Sequence, residues 1–190
     1  AGDTHDGFVD VTDRWSAVEL EPFRSLIRQG KADMVMTAHV FNGKLDPVWP
    51  STLSRKTLTD LLRQEMGFTG VVISDDMQMK AIASRYGLET AIGQALLAGA
   101  DILLFANNSV YEEDIAARVA ATIRALVDKG EVHRAQIGDA GKTRVRDAGE
   151  ALRAHDREIE PRSEGAERLV GANVARHLLA PNVLLARLQR

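Results

Sequence analysis

Two adjacent aspartates stand where a buried strand is predicted to end. Asp75 and Asp76 follow directly on the apolar run Val71-Val72-Ile73 and Ser74. In parallel α/β proteins, ligands bind and catalytic groups gather at the carboxyl ends of the strands. Because neighbouring residues of a strand point to opposite faces, we expect one of the two carboxylates to face the site. The other interpretation is that one or both aspartates cap the following helix, and the spacing leaves both open.

A second candidate is the segment Asp3-Thr4-His5. An aspartate two residues before a histidine can accept a hydrogen bond from one ring nitrogen, which fixes the tautomer and raises the basicity of the other nitrogen. Such a histidine works as a general acid or base near neutral pH. The same pattern also occurs in solvated polar segments. His39 is a third candidate, since it follows the apolar run 34–38, where it would either face a ligand or bond to a neighbouring loop.

The elements that must position these residues follow from the hydrophobic pattern. Three continuous apolar runs predict strands buried on both faces, at 33–39, 70–75 and 100–105. Stretches with helical spacing lie between and around them. One is expected to start after Ser54 as its cap and to end at Gly67, another runs from Ile115 to Val127, and a short one has Pro22 in its first turn with Phe23, Leu26 and Ile27 facing inward. The strands recur about every 30 to 37 residues, the length of a βα unit. The alternation predicts a parallel α/β architecture, either a doubly wound sheet or a (β/α) barrel. A full barrel takes roughly 250 residues, so a barrel interpretation makes this chain a partial one.

Composition sets further bounds. The chain has 190 residues, of which 45% are hydrophobic and 27% charged, as expected for a globular protein. The sequence has no cysteine, which excludes disulfides, thiolate metal sites and cysteine nucleophiles within it. The net charge of −3 argues against nucleic acid as a partner. No apolar stretch approaches the ~20 residues of a membrane span.

The character of the sequence changes after residue 130. Residues 131–168 are rich in arginine, acids, alanine and glycine, and few bulky apolar side chains occur there. We expect a solvated helix at 148–157 and one or two amphipathic helical pieces at 169–188, broken at Pro181. The predicted organisation is therefore a domain at 1–130 and a charged helical extension at 131–190.

Several blocks, in matching order and spacing, resemble glycoside hydrolase family 3, and within it the bacterial β-N-acetylhexosaminidase branch. The blocks are Ala32–His39, Thr52–Ser54, Met66–Met77 and Ala98–Asp101. The resemblance runs from residue 2 to about residue 130. It implies a (β/α)₈ TIM-type barrel, of which this chain would be the carboxyl-terminal half. The family's Lys-His-Phe-Pro-Gly-His-Gly segment and the first four or five βα units would precede residue 1.

The resemblance also implies a chemistry. It assigns the nucleophile of a retaining mechanism to Asp75 and the acid/base to His5, with Asp3 as its partner. The substrate would be a glycan ending in β-linked GlcNAc, as in peptidoglycan fragments of bacteria, and no metal or other cofactor would be needed. We expect His39 and Met79 to contact that substrate. Asp76, where larger relatives carry tryptophan, favours the hexosaminidase branch.

Two alternatives remain open at this stage. One is a metal-dependent α/β hydrolase that uses Asp75, Asp76, His39 and His5 as ligands. The other is an inactive, truncated barrel that survives by pairing with itself or with a partner.

Overall fold

The strands of the computed structural model form two sheets, and the structure describes residues 2–108, 111–133, 137, 143–150 and 183–184. The larger sheet has the order β2–β4–β5–β6, in which the first three strands are parallel and β6 is antiparallel. A separate parallel pair joins β1 to β3. The strands are β1 (Val9–Asp10), β2 (Met34–Met36), β3 (Val40–Phe41), β4 (Val71–Asp76), β5 (Ile102–Leu104) and β6 (Val183–Leu184). The predicted parallel α/β class is confirmed in these residues.

Helices connect the strands as the sequence pattern predicts. They are α1 (Glu21–Arg28), α2 (Lys56–Glu65), α3 (Lys80–Tyr86), α4 (Leu88–Ala98), α5 (Ile115–Asp128) and α6 (143–150), with short 3₁₀ turns at Ala17–Leu20 and Ser51–Leu53. The helix α2 is wound with π-type hydrogen bonds. The bond from the Met66 N–H to the Leu61 carbonyl continues this pattern at its end.

Local signals set the ends of α2. The Ser54 hydroxyl accepts a 3.1 Å bond from the Thr57 N–H and so satisfies one donor of the first turn. Gly67 follows the helix with a φ of +73°. Glycine adopts this backbone conformation at a lower free-energy cost than residues that carry a side chain. Both boundaries agree with the sequence prediction.

The apolar face of the helix α1 is more exposed than the sequence predicts. Pro22 lies in its first turn as predicted. Its apolar period predicted that Phe23, Leu26 and Ile27 all face inward, yet Phe23 is 51% and Leu26 46% exposed. Only Ile27 packs against the core, because no other element in the described part of the chain buries the rest of this face.

The central sheet separates two apolar clusters. The larger one lies on the side of α2, α4 and α5 and includes Val72 and Leu103. The smaller one consists of Val71, Ile73 and Ile102 on the opposite face. Val145 and Ala148 of α6 pack against this second cluster. The described strands thus form an open sheet with helices on both faces.

A buried ion cluster ties α6 and α2 to the amino-terminal end of β5. Asp101 bonds to Arg63 Nη2 at 2.6 Å, to the Arg144 guanidinium and to the Val72 N–H at 2.9 Å. Its side chain is only 4% exposed. The cluster lies at the edge of the sheet away from Asp75, so we assign it to stability.

The extension after residue 130 is described only in part. Residues 143–150 are helical, so this helix begins before the predicted start at 148. Val183–Leu184 form a strand against β5, where the sequence predicted a helix, because the edge of β5 offers backbone partners. The remainder of the predicted helices at 148–157 and 169–188 lies outside the described residues.

Candidate active site

Asp76 and Asp75 end β4 and have different surroundings. The Asp76 side chain is buried, and its Oδ1 accepts bonds from the N–H of Gln78 at 3.0 Å and of Ala106 at 3.1 Å. It therefore fixes the loops that follow β4 and β5. Asp75 is half-buried, and its Oδ1 accepts a 2.8 Å bond from the N–H of Asp76. Of the two adjacent acids, Asp75 is the one suited to meet a ligand.

An irregularity in the ladder between β4 and β5 sets the direction of these acids. Ile73 pairs with Ile102 and Asp76 pairs with Leu104, so three steps along β4 correspond to two along β5. The extra residue makes a β-bulge, which locally turns the strand. The Ser74 hydroxyl accepts the Leu104 N–H at 2.9 Å, so this backbone donor keeps a partner at the bulge.

The Asp3-Thr4-His5 segment lies against the helix that follows Asp75. The Thr4 carbonyl accepts a 3.2 Å bond from the N–H of Ala81 in the first turn of α3. Asp3 accepts two bonds from His5, one from Nδ1 at 2.8 Å and one from the backbone N–H at 2.9 Å. The fold therefore brings the predicted histidine and the predicted aspartate to the same edge of the sheet.

The charges at this edge favour a protonated His5. The hydrogen bond from its ring to Asp3 raises the pKa of His5, and the negative charges of Asp3, Asp75 and Asp6 add to the rise. The two bonds from His5 in turn lower the pKa of Asp3. Both side chains are more than half exposed, so solvent screens these effects. A histidine with a raised pKa is a suitable proton donor near neutral pH.

His39 is buried beneath the site with protein partners on both ring nitrogens. Nε2 donates to the Asp76 carbonyl at 2.9 Å, so Nδ1 is an acceptor, 2.8 Å from the Thr52 hydroxyl. The Thr52 hydroxyl in turn accepts from Thr37 at 2.8 Å. Burial lowers the pKa of His39, which is consistent with this neutral tautomer. The geometry gives His39 the role of holding the end of β4, and it leaves neither nitrogen for a sugar hydroxyl.

Met79 shapes the turn between β4 and α3. Its N–H donates to the Asp76 carbonyl at 3.0 Å, and its own carbonyl accepts from Ile82 and Ala83. The side chain is only 2% exposed. Substrate contact by Met79 stays a prediction.

Sequence reasoning missed two contributors to the site. Thr37 and Thr52 form the hydroxyl chain to His39, although both stand in the family-like blocks and no role was assigned to them. Polar side chains inside otherwise apolar segments were the available signal, because buried hydroxyls need partners.

The described residues offer little to a metal ion. Within these ranges, no group of three or more histidine, aspartate or glutamate side chains is arranged to hold one. Of the four ligands considered in the metal-dependent alternative, Asp76 and His39 are engaged in the bonds described above. As for membranes, none of the described helices combines the length and the apolar character needed to cross a bilayer.

Comparison with known proteins places this architecture in a family. A model of the glycosyl hydrolase family 3 N terminal domain matches residues 1–147. A β-hexosaminidase of Tolumonas auensis is 44% identical over 92 residues, 48% of this chain and 27% of that protein. One from Stenotrophomonas maltophilia strain K279a is 34% identical over 139 residues, 72% of this chain and 41% of that protein.

A solved structure of the same family has a similar fold. The glycoside hydrolase family 3 β-N-acetylglucosaminidase from Paenibacillus sp. FPU-7 superposes with a TM-score of 0.69 at 30% identity, over 93% of this chain and 33% of that one.

The chain is thus a parallel α/β protein of βα units, with its candidate site at the carboxyl end of a strand. It belongs to glycoside hydrolase family 3 and matches part of that family's N-terminal domain. It spans between about a quarter and two fifths of the length of the two β-hexosaminidases compared above. The match continues past residue 130, the predicted domain boundary, to residue 147.

Proposed function

We propose that the protein containing this chain is a retaining β-N-acetylhexosaminidase that hydrolyses terminal β-GlcNAc. The observation that supports it most is the attachment of the His5 segment to the helix that follows Asp75, through the Thr4–Ala81 bond. The bond to Asp3 raises the pKa of His5, and the charge of Asp75 adds to the rise. Family membership and the relatives named β-hexosaminidase support the same class of substrate.

The first step forms a glycosyl-enzyme. An oxygen of the Asp75 carboxylate attacks the anomeric carbon, and the bond from that carbon to the leaving oxygen breaks. Because Nδ1 of His5 is bonded to Asp3, the proton that reaches the leaving oxygen comes from Nε2. Asp3 stabilises the imidazolium before the transfer and keeps the ring in orientation.

The second step releases the sugar. Neutral His5 accepts a proton from water at Nε2 while the water oxygen attacks the anomeric carbon. The ester bond to Asp75 breaks, and the carboxylate is restored. The two displacements together retain the configuration at the anomeric carbon. Peptidoglycan fragments are a natural source of terminal GlcNAc for an enzyme with such relatives.

The proposal includes the organisation of the chain. Residues 1–130 would supply the carboxyl-terminal half of a (β/α)₈ barrel within the family's N-terminal domain, and 131–190 a charged extension. The parallel order β2–β4–β5 with α2, α4 and α5 on one face is the arrangement such a half would have.

The test traps the intermediate on the protein at its natural length. A fluorinated GlcNAc donor that slows the second step is added, and the labelled peptide is mapped by mass spectrometry. We expect the label on Asp75 and none on Asp76, and release of phenol from an aryl β-GlcNAc should stop in Asp75→Ala. Turnover retained in Asp75→Ala, or turnover that a chelator abolishes and Zn²⁺ or Mg²⁺ restores, would overturn the proposal.

A further inference from the structure

A cation–π contact joins the segment that carries His5 to α3. The guanidinium carbon of Arg85 lies 4.3 Å from the centroid of the Phe8 ring. The Phe41 ring lies 5.5 Å from Phe8 between centroids, tilted by 41°. Phe8 is 42% exposed, so an apolar ring that solvent reaches contacts both a cation and a second aromatic ring.

This contact and the Thr4–Ala81 bond act on the same helix face. Ala81 and Arg85 are four residues apart in α3, which places them one turn apart on one side of the helix. Thr4 and Phe8 flank His5 in sequence. The segment 3–8 is therefore attached to α3 on both sides of the histidine.

The other hydrogen bonds described for residues 3–8 are local and shape the segment itself. The N–H groups of Asp6 and Gly7 bond to the Asp3 carbonyl at 3.1 and 3.3 Å, which closes a local turn. The Asp3 carboxylate bonds to His5 itself. Such a turn keeps its shape wherever it lies. Its position relative to α3 is therefore set by the attachments on either side of it, the Thr4–Ala81 bond before His5 and the contacts of Phe8 after it, where β1 begins at Val9.

We propose that Arg85, acting through Phe8, is a positioning residue that holds His5 at the working distance from Asp75. The inference rests on the proposed function, because it assigns Arg85 a part in the same acid/base step. Planarity is central to the contact, since a guanidinium stacks on a ring in a way that an ammonium does not. Phe8 is thereby unsuited to be a stacking platform for sugar, because Arg85 and Phe41 already lie against it.

A series of leaving groups tests the inference on the protein at its natural length. Departure of phenol needs a proton from His5, whereas dinitrophenol leaves without one. We expect Arg85→Met to lower kcat/KM for phenyl β-GlcNAc roughly threefold and to leave the dinitrophenyl substrate unchanged, which matches the strength of an exposed cation–π contact. Arg85→Lys should show most of the same loss, and Phe8→Leu the same pattern.

Controls separate this inference from the proposed function. Arg28→Met makes the same chemical change on the exposed side of α1 and should alter neither substrate. His5→Ala should show a much larger loss for phenyl than for dinitrophenyl, and Arg85→Met should add nothing in that background. Equal losses for both substrates in Arg85→Met, or none, overturn the positioning role. A His5→Ala variant without leaving-group dependence overturns the acid/base assignment itself.

Discussion

The N–H of Asp76 donates a 2.8 Å bond to the carboxylate of Asp75, so the backbone of one acid orients the side chain of the other. The surroundings of the two side chains differ. That of Asp76 is buried and accepts two loop N–H groups, while that of Asp75 is half-buried at the end of β4. We therefore expect substitution of Asp75 to act mainly on activity and substitution of Asp76 mainly on stability.

Asp75→Asn should abolish turnover with little effect on stability. An amide cannot attack the anomeric carbon, so kcat should fall by at least ~10³. It still offers an oxygen to the Asp76 N–H, so the free energy of unfolding should change by less than about 1 kcal/mol. Hydrolysis of an aryl β-GlcNAc and urea unfolding measure the two. Substantial residual activity would remove Asp75 from the mechanism.

Asp76→Ala should act mainly on stability. It leaves the N–H groups of Gln78 and Ala106 without their acceptor, which should lower the free energy of unfolding by about 2–4 kcal/mol. Asp76→Asn is the matched control, because it keeps an oxygen acceptor and should lose less. A stable Asp76→Ala variant would contradict a structural role for this carboxylate.

Asp3→Asn should shift the pH dependence of activity. The hydrogen bond to the Asp3 carboxylate and the charge of that carboxylate raise the pKa of His5. An amide accepts the same bond without the charge, so the pKa of His5 should fall and His5 should give up its proton at a lower pH. The alkaline limb of kcat/KM for phenyl β-GlcNAc should therefore move to lower pH. The dinitrophenyl substrate is the control, since its leaving group departs without a proton from His5 and the pH dependence of its kcat/KM should not change. An unmoved alkaline limb for the phenyl substrate would remove Asp3 as the partner of His5.

Because of His39, we expect the free energy of unfolding to be lower in mild acid than at neutral pH. Burial lowers its pKa from the ordinary 6.5, so below about pH 6.5 the unfolded chain binds a proton that the folded chain refuses. Stability is complete above that pH and falls until the lowered pKa is reached. His5, with its raised pKa, contributes the opposite slope.

The His39 variant isolates this effect. The free energy of unfolding, measured from about pH 7.5 to about pH 5.5, should fall less steeply in His39→Gln than in the natural protein. Thr52→Val keeps the imidazole, so it should be less stable at every pH but retain the slope. Identical slopes in the natural protein and His39→Gln would contradict the neutral tautomer.

The ion cluster at Asp101 should be important for stability and not for catalysis. Asp101→Ala leaves Arg63 and Arg144 partly buried without their carboxylate, which typically costs about 3–5 kcal/mol. We expect a lower midpoint in urea and an unchanged KM for the folded fraction. Asp147→Ala, on the exposed side of α6, is the control. A midpoint unchanged in Asp101→Ala would contradict this assignment.

The sequence pattern predicted the elements well where an apolar run is unbroken or an apolar stripe extends over several helical turns. The runs that became β4 and β5 are of the first kind, and the stripe that became α5 is of the second. The two-residue strands β1 and β3 have no period to read, so their pairing was missed. In α1 the apolar residues do lie on one face of the helix, yet Phe23 on that face is exposed. Periodicity predicts that a face is apolar, but it does not predict which element packs against that face.

The sequence pattern selected the candidate residues of the site, and it left open how the two adjacent acids differ. Alternation along a strand indicated that one of two acids faces the site, but the bulge beside Ser74 decides the geometry, and nothing in the spacing reveals a bulge. The two partners of His39, Thr52 and the Asp76 carbonyl, are 13 and 37 residues away in sequence. Contacts of that kind depend on tertiary packing, which local patterns do not encode.

The bulge beside Ser74 has a consequence for how this strand can change over evolution. Loss of the Ser74 codon would restore an even ladder with β5 and reverse which face each following side chain meets. The acid held inward by loop amides and the acid that points outward would then exchange places. A single in-frame deletion, without any substitution of a residue, should therefore abolish the activity of this candidate site.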